Sequence, residues 1–166
     1  MNTIDYIKQE MGMSMSWIGG LMADMQDSPL TVPTSNGGNH PLWIVGHLAY
    51  SESNIFHCYI LGQGNPLAEW KDVFGIGSQP KNDATAYPPY DEMLAKFEAV
   101  RADTLAYLET ITDTDLDNPS HNVPEDRKAY FGTIGKCLTV MTTHLAFHGG
   151  QLADARRAAG RDILTA

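Results

Sequence analysis

Two histidines near the C-terminus, His144 and His148, have the spacing of a metal-binding pair. They lie in the segment 143–152, which is flanked by residues that favour a helix. In a helix, residues four apart share a face and are separated by about 6 Å along the axis and about 40° around it. Two imidazoles so placed can bind one ion, although two histidines with a purely structural role have the same spacing.

A stable metal site needs at least three protein ligands, and His47 is the best candidate for the third. It lies in the middle of a second predicted helix, on a polar stripe that also carries Ser51, Asn54 and Cys58. A polar stripe that faces a core needs partners. The alternative to a metal site is that His47, Ser51 and Asn54 form hydrogen bonds with one another or with water.

The other histidines and both cysteines fit the site less well. His57 points about 80° away from His47 on the same helix, His40 lies at the helix start and His121 lies in an acidic loop. Cys58 and Cys137 share a face with the candidate ligands, but each is about 10 Å or more along the helix axis from the nearest one. We therefore expect neither cysteine to bind the same ion.

Four amphipathic helices are predicted to position these residues. Apolar side chains recur with the helical period, and the predicted ranges are 3–26, 42–61, 91–110 and 133–159. No segment shows a convincing alternation typical of strands. The sequence thus predicts an all-α fold, a four-helix bundle with a long crossover connection between the second and third helices.

Two loops and one pair of glycines interrupt this pattern. Residues 27–39 are rich in Pro, Gly and Asn, and the connection 61–90 is long enough to predict both a functional lid and a short helix of its own. Gly149 and Gly150 lie inside the last predicted helix, directly after His148. Either a neighbouring element approaches the helix closely there or the helix bends.

The composition limits the class of protein. The 166 residues suit a single domain, 1–166, and the net charge of −9 argues against binding to a phosphate backbone. Two cysteines without a CxxC motif fit a reducing cytoplasm. The N-terminus lacks the pattern of a secretory signal, and no run of apolar residues is long enough to span a membrane. We expect a cytoplasmic protein that acts on a small molecule, without nucleic acid or membrane partners.

Two motifs about 100 residues apart together resemble the DinB-like (YfiT-like) superfamily of bacterial metalloproteins. The first is NHPLWIVGHL at 39–48, and the second is HLAFHGGQL at 144–152. The resemblance covers the whole chain in length and helix layout. It implies that His47, His144 and His148 bind a metal, that the bundle has up-down-down-up connectivity, and that the protein forms a homodimer.

The resemblance also implies the reaction class. Family members include S-transferases and isomerases that use low-molecular-weight thiols, and metal hydrolases. We expect a divalent ion, zinc or nickel with iron as a further candidate, that activates a low-molecular-weight thiol cofactor for transfer to an electrophile. The alternatives are a hydrolase in which the metal activates water, and a non-catalytic bundle that binds metal or senses a ligand.

Two further residues are candidates for contact with the cofactor. Gln151, one turn beyond His148, could bind a ligand or remain an exposed helix residue. Trp43 could contact the substrate or form part of the core wall. Tyr50 and Glu52 do not share the face of His47 closely, so the sequence assigns no general base.

Overall fold

A computed structural model of the chain describes residues 1–33, 38–162 and 164, and all regular elements within these ranges are helices. The α-helices are α1 (Thr3–Asp24), α2 (Pro41–Ser53), α3 (Lys71–Phe74), α4 (Tyr90–Leu108), α5 (Lys128–Phe131) and α6 (Ile134–Ala158). A π-helical segment, Asn54–Ile60, continues α2. The predicted all-α class is confirmed, and no helix in the described ranges is long and apolar enough to cross a membrane.

The ends of the long helices lie close to the predicted ones and have local causes. Asn2 caps α1 by accepting a hydrogen bond from the backbone N–H of Asp5. His40 caps α2, since its Nδ1 accepts from the backbone N–H of Trp43, and Pro41 occupies the first turn. Gly160, at φ +74°, takes the left-handed conformation just after α6.

The connection between α2 and α4 contains the short helix that the sequence predicts. A 3₁₀ turn, Ala68–Trp70, leads into α3, and a second one, Ala84–Ala86, precedes α4. Trp70 and Phe74 bury their rings in the core, which anchors this segment to the bundle. Its action as a lid remains a prediction. Of the predicted loop 27–39, residues 34–37 lie outside the described residues.

The four long helices pack in pairs. Helix α2 contacts α4 and α6, and α1 likewise contacts α6 and α4. Their apolar faces form two clusters, one beside the candidate histidines around Trp43, Ile44 and Phe74, and one around Ile60, Leu108 and Leu138. The up-down-down-up order of the helices remains a prediction.

A close approach of α1 accounts for one of the two adjacent glycines in α6. A Cβ built on Gly149 would lie 2.7 Å from Cδ1 of Ile18, whereas a Cβ on Gly150 would meet open space. The first of the two alternatives from the sequence therefore applies at Gly149. Nothing in the packing requires glycine at position 150.

A tighter approach occurs at Gly46, one residue before His47. A Cβ on Gly46 would overlap the ring of Phe74 and lie 2.8 Å from Sδ of Met93. Both neighbours are fully buried, so they have little room to move. Glycine at this position allows the α3 segment to pack directly against α2.

We predict that Gly46→Ala lowers the free energy of unfolding by about 1–3 kcal/mol, because the added methyl group overpacks the core. Gly12→Ala is the matched control. Gly12 also lies inside a helix, but its Cβ would meet open space, so this change should raise the free energy of unfolding by about 0.5–1 kcal/mol. Urea denaturation measures both values. Equal effects of the two substitutions would contradict the contact between Gly46 and Phe74.

Candidate metal centre

Three histidines from two helices converge at one point in the bundle. His47 comes from α2, and His144 and His148 come from α6. The Nε2 atom of His144 lies 3.1 Å from Nε2 of His47 and 3.1 Å from Nε2 of His148. Nitrogens that bind one zinc ion at about 2.0–2.1 Å lie roughly 3–3.5 Å apart. The cluster could therefore hold a metal ion.

Two of the three rings are held in one tautomer by their neighbours. Nδ1 of His47 lies 2.7 Å from the carbonyl oxygen of Phe74, and Nδ1 of His148 lies 2.8 Å from Oε1 of Gln151. Both partners are acceptors, so each Nδ1 carries the proton and donates it. The Nε2 atoms of both rings consequently present lone pairs to the centre of the cluster, as metal ligands do.

The third ring, His144, supplies a test of whether the cluster fits an ion. Its Nδ1 is buried and has no hydrogen-bond partner, and its Nε2 faces both other Nε2 atoms. Protein groups alone satisfy this arrangement poorly, because a single N–H must serve two lone pairs. A cation satisfies all three lone pairs at once. The residues present therefore fit a divalent metal.

Burial keeps these imidazoles neutral. Desolvation lowers the pKa of His47. Desolvation, together with the smaller effects of the nearby His148 and His47, lowers the pKa of His144 to about 3. Desolvation also lowers the pKa of His148 to about 4, although the hydrogen bond with Gln151 opposes the shift. Neutral imidazole is the form that binds metals, so the cluster is ready to bind at pH 7 without losing protons.

The two residues that the sequence suggested for cofactor contact both touch the histidines. Gln151 accepts from His148 and also from Nδ2 of Asn39, at 3.3 Å. The ring of Trp43 stacks on that of His47, with centroids 4.4 Å apart and planes 11° apart. Trp43 is buried, and its Nε1–H donates to the carbonyl oxygen of Val73. Both residues thus hold a histidine of the cluster directly, and their contact with a cofactor remains a prediction.

A cavity of about 200 Å³, here called the inner chamber, opens beside the cluster. His47 and His144 form part of its wall, and the apolar side chains of Ile55, Phe131 and Val140 form another part. A cavity of about 650 Å³, the outer chamber, adjoins it. The two chambers share the wall residues Tyr50, Asn54, Tyr59, Ile76 and Arg127. A small molecule in the inner chamber would therefore lie next to the histidines.

Sequence reasoning missed some of these wall residues. The sequence places Tyr50 away from the helix face of His47. The two residues are nevertheless i, i+3 neighbours on α2, and both line the inner chamber. Arg127 lies in a connection without periodicity, so no pattern indicated it. Ser51 and Asn54 also line the chamber, and the hydrogen bonds of His47 go to Phe74 and His144 instead of to them.

The residues that the sequence set aside lie elsewhere. Nε2 of His40 contacts the carbonyl oxygen of Lys81, Nδ1 of His57 contacts that of Ser53, and His121 is exposed. Cys137 is buried in the second apolar cluster. Glu52 is fully buried in an ion pair with Arg101 of α4. None of these side chains joins the three-histidine cluster.

We predict that Gln151→Met weakens metal affinity by about 10–100-fold, since it removes the acceptor that orients His148 while it preserves side-chain length. Competition with a chelating dye measures the affinity. Gln9→Met changes an exposed glutamine in α1 and is the control. An affinity of the Gln151 variant equal to that of the control would show that the hydrogen bond does not support metal binding.

We also predict that acid destabilises the metal-free protein. The native pKa values of His144 and His148 lie below the value of about 6.5 for an unfolded histidine, so the unfolded chain binds more protons below that pH. The free energy of unfolding therefore decreases as the pH is lowered from about 6.5 to 4, by up to about 1.4 kcal/mol per pH unit for each histidine.

Urea denaturation at pH 7 and pH 5 tests this effect. His144→Gln should lose about 1–2 kcal/mol less than the wild type between the two values, because glutamine does not titrate. His121→Gln, at an exposed histidine, should behave as the wild type does. An identical pH dependence in the His144 variant would mean that burial of this ring does not disfavour its protonated form.

Comparison with known proteins identifies the family of the chain. No curated protein matches the chain closely enough to count as a relative. The sequence model of a family described as the DinB superfamily matches residues 19–152. The match covers most of the chain and includes all three converging histidines. The chain therefore belongs to the DinB superfamily.

Proposed function

We propose that this protein is a metal-dependent S-transferase that uses a low-molecular-weight thiol. His47, His144 and His148 are the metal ligands in this proposal. A divalent ion held by three neutral imidazoles keeps coordination positions open and can stabilise a thiol as its thiolate at neutral pH. The observation that carries the proposal is the convergence of three Nε2 atoms, two of them from histidines that line the inner chamber.

The lining of the inner chamber argues against a hydrolase that needs a carboxylate as its general base. Among the described residues, the side chains that line this chamber include no carboxylate. Metal hydrolases commonly combine the metal with a carboxylate general base, as the HExxH enzymes do. Glu52, the acidic residue of α2, is buried against Arg101 instead. A thiol bound to a metal loses its proton without such a base, and so does metal-bound water in three-histidine carbonic anhydrase. The lining therefore argues against a hydrolase of the HExxH type and leaves the transferase compatible with the site.

The chain's own residues have distinct roles in this proposal. Phe74 and Gln151 orient two of the ligands through their oxygens, and Trp43 holds the ring of His47 by stacking. The apolar wall of the inner chamber excludes water and accommodates the apolar part of an electrophile. The outer chamber has room for the larger and more polar thiol. The two chambers thus suit a reaction of two substrates.

Further expectations belong to the same proposal. We expect zinc or nickel, with iron as a further candidate, because three imidazoles suit these metals. We also propose a single domain, the up-down-down-up helix order, a homodimer and a cytoplasmic location. The long connection that carries α3 supports the helix order, since a crossover must span the length of the bundle.

Metal content and thiol conjugation, measured on the same preparations, test the function. The variants are His47→Ala, His144→Ala and His148→Ala, and the control is His121→Ala, at an exposed histidine. Protein is purified without a tag, chelator or nickel column. Cysteine, glutathione and mycothiol are each offered with 1-chloro-2,4-dinitrobenzene, and conjugate formation is followed by absorbance.

We expect close to one ion per chain in the wild type and the control, and loss of the ion in the three variants, because each variant removes a ligand. Conjugation should fall to the uncatalysed rate in the same three variants. Loss of metal with unchanged conjugation would refute the transferase. A wild type that binds no metal would refute the metal site itself.

A further inference from the structure

Arg127 differs from the other arginines of the chain in its lack of a partner. Arg101 pairs with Glu52, Arg156 and Arg161 pair with Asp24, and Arg157 pairs with Asp154. Within the described residues, the guanidinium of Arg127 makes neither an ion pair within 4 Å nor a side-chain hydrogen bond, although the residue is half-buried. A half-buried and unpaired charge in a cavity wall is unusual, since pairing offsets the loss of hydration.

The position of Arg127 places this charge in the wall of the chamber that His47 and His144 also line. The residue lies in the wall that the inner and outer chambers share. Tyr50 and Asn54 belong to the same shared wall and can donate hydrogen bonds. The outer chamber also has Lys71 and the exposed Asp72 in its lining, whereas Arg127 is the one formally charged residue that lines the inner chamber within the described ranges.

The charge balance of the site also favours an anionic ligand. Imidazoles bind a metal in their neutral form, so three of them would leave the charge of a divalent ion uncompensated. Arg127 adds a further positive charge to the same chamber. Without an acidic side chain in the inner lining, an anionic ligand is the natural complement to both charges.

We infer that Arg127 binds the carboxylate of a small amphiphilic substrate whose apolar part occupies the inner chamber. The planar guanidinium can bind a carboxylate with two parallel hydrogen bonds. The volume of about 200 Å³ accommodates a group of the size of a benzene ring. This inference rests on the proposed function only in treating the chambers as the substrate site.

Two probes of the same shape separate the charge from the apolar group. 4-Phenylbutanoate carries the carboxylate, and 4-phenylbutanamide replaces it with a neutral amide. Binding is followed by ¹⁵N–¹H NMR titration of the wild type, Arg127→Gln and Arg127→Lys. Arg157→Gln is the matched control, because it removes one positive charge from an exposed site on α6. Each titration is run on metal-free and metal-loaded protein.

We expect phenylbutanoate to shift the amide signals of Tyr50, Asn54 and Arg127 in both forms of the wild type and of the control. Its affinity should fall by about tenfold or more in Arg127→Gln, which corresponds to one charge-assisted interaction. Arg127→Lys should give an intermediate affinity, because it keeps the charge but loses the planar fork. The amide should bind the wild type more weakly than the carboxylate does. The two probes should bind Arg127→Gln with equal affinity.

Equal binding of the two probes to the wild type would overturn the inference, and so would unchanged affinity in Arg127→Gln. Binding of phenylbutanoate only when metal is present would also overturn it, because it would assign the carboxylate to the ion. The absence of saturable shifts in the wild type would also overturn it. These outcomes do not depend on thiol conjugation. Failure of the transferase assay with Arg127-dependent binding intact would refute the proposed function alone.

Discussion

The hydrogen bonds between α2 and the carbonyl end of α3 hold His47 in its place within the three-histidine cluster. Trp43 donates to Val73 at 3.1 Å, and His47 donates to Phe74 at 2.7 Å. The contact with Phe74 fixes the tautomer of His47, and the contact with Val73 fixes the ring of Trp43 that stacks on it. Both contacts also fix the path of the long connection. Glycine at position 46 is needed for the same approach, because a Cβ there would overlap the ring of Phe74. The packing of Phe74 against Gly46 and the orientation of His47 therefore depend on each other.

Two groups of polar side chains in the bundle, the Glu52–Arg101 pair and the three histidines, are balanced in different ways. Glu52 and Arg101 compensate each other in the core, although burial still raises the pKa of Glu52 to about 7 against the opposing effect of Arg101. Among the residues that the structure describes, the three histidines have no acidic partner, and their Nε2 atoms face one another. Such a cluster opposes folding unless something outside the chain satisfies it. Binding of a cation offers that compensation.

The sequence predicted the features that periodicity and side-chain type encode. Apolar spacing located the four long helices, and the i, i+4 pair with a polar position on α2 identified the histidines that the structure brings together. The carbonyl oxygen of Phe74 could not be predicted, because a backbone acceptor has no sequence signature. The π-helical end of α2, Asn54–Ile60, also has none, since it departs from the α-helical hydrogen-bond pattern only locally.

Net charge and local charge lead to different expectations for this protein. The chain carries −9 overall, which argues against binding to a polyanion such as nucleic acid. Screening limits the reach of surface charges to about 8 Å at physiological salt, whereas groups inside a cavity interact through a less polar medium. The field in the inner chamber therefore depends on Arg127 and on any bound ion more than on the acidic surface. An anionic substrate is compatible with an acidic protein because one unpaired arginine lines the chamber beside the histidines.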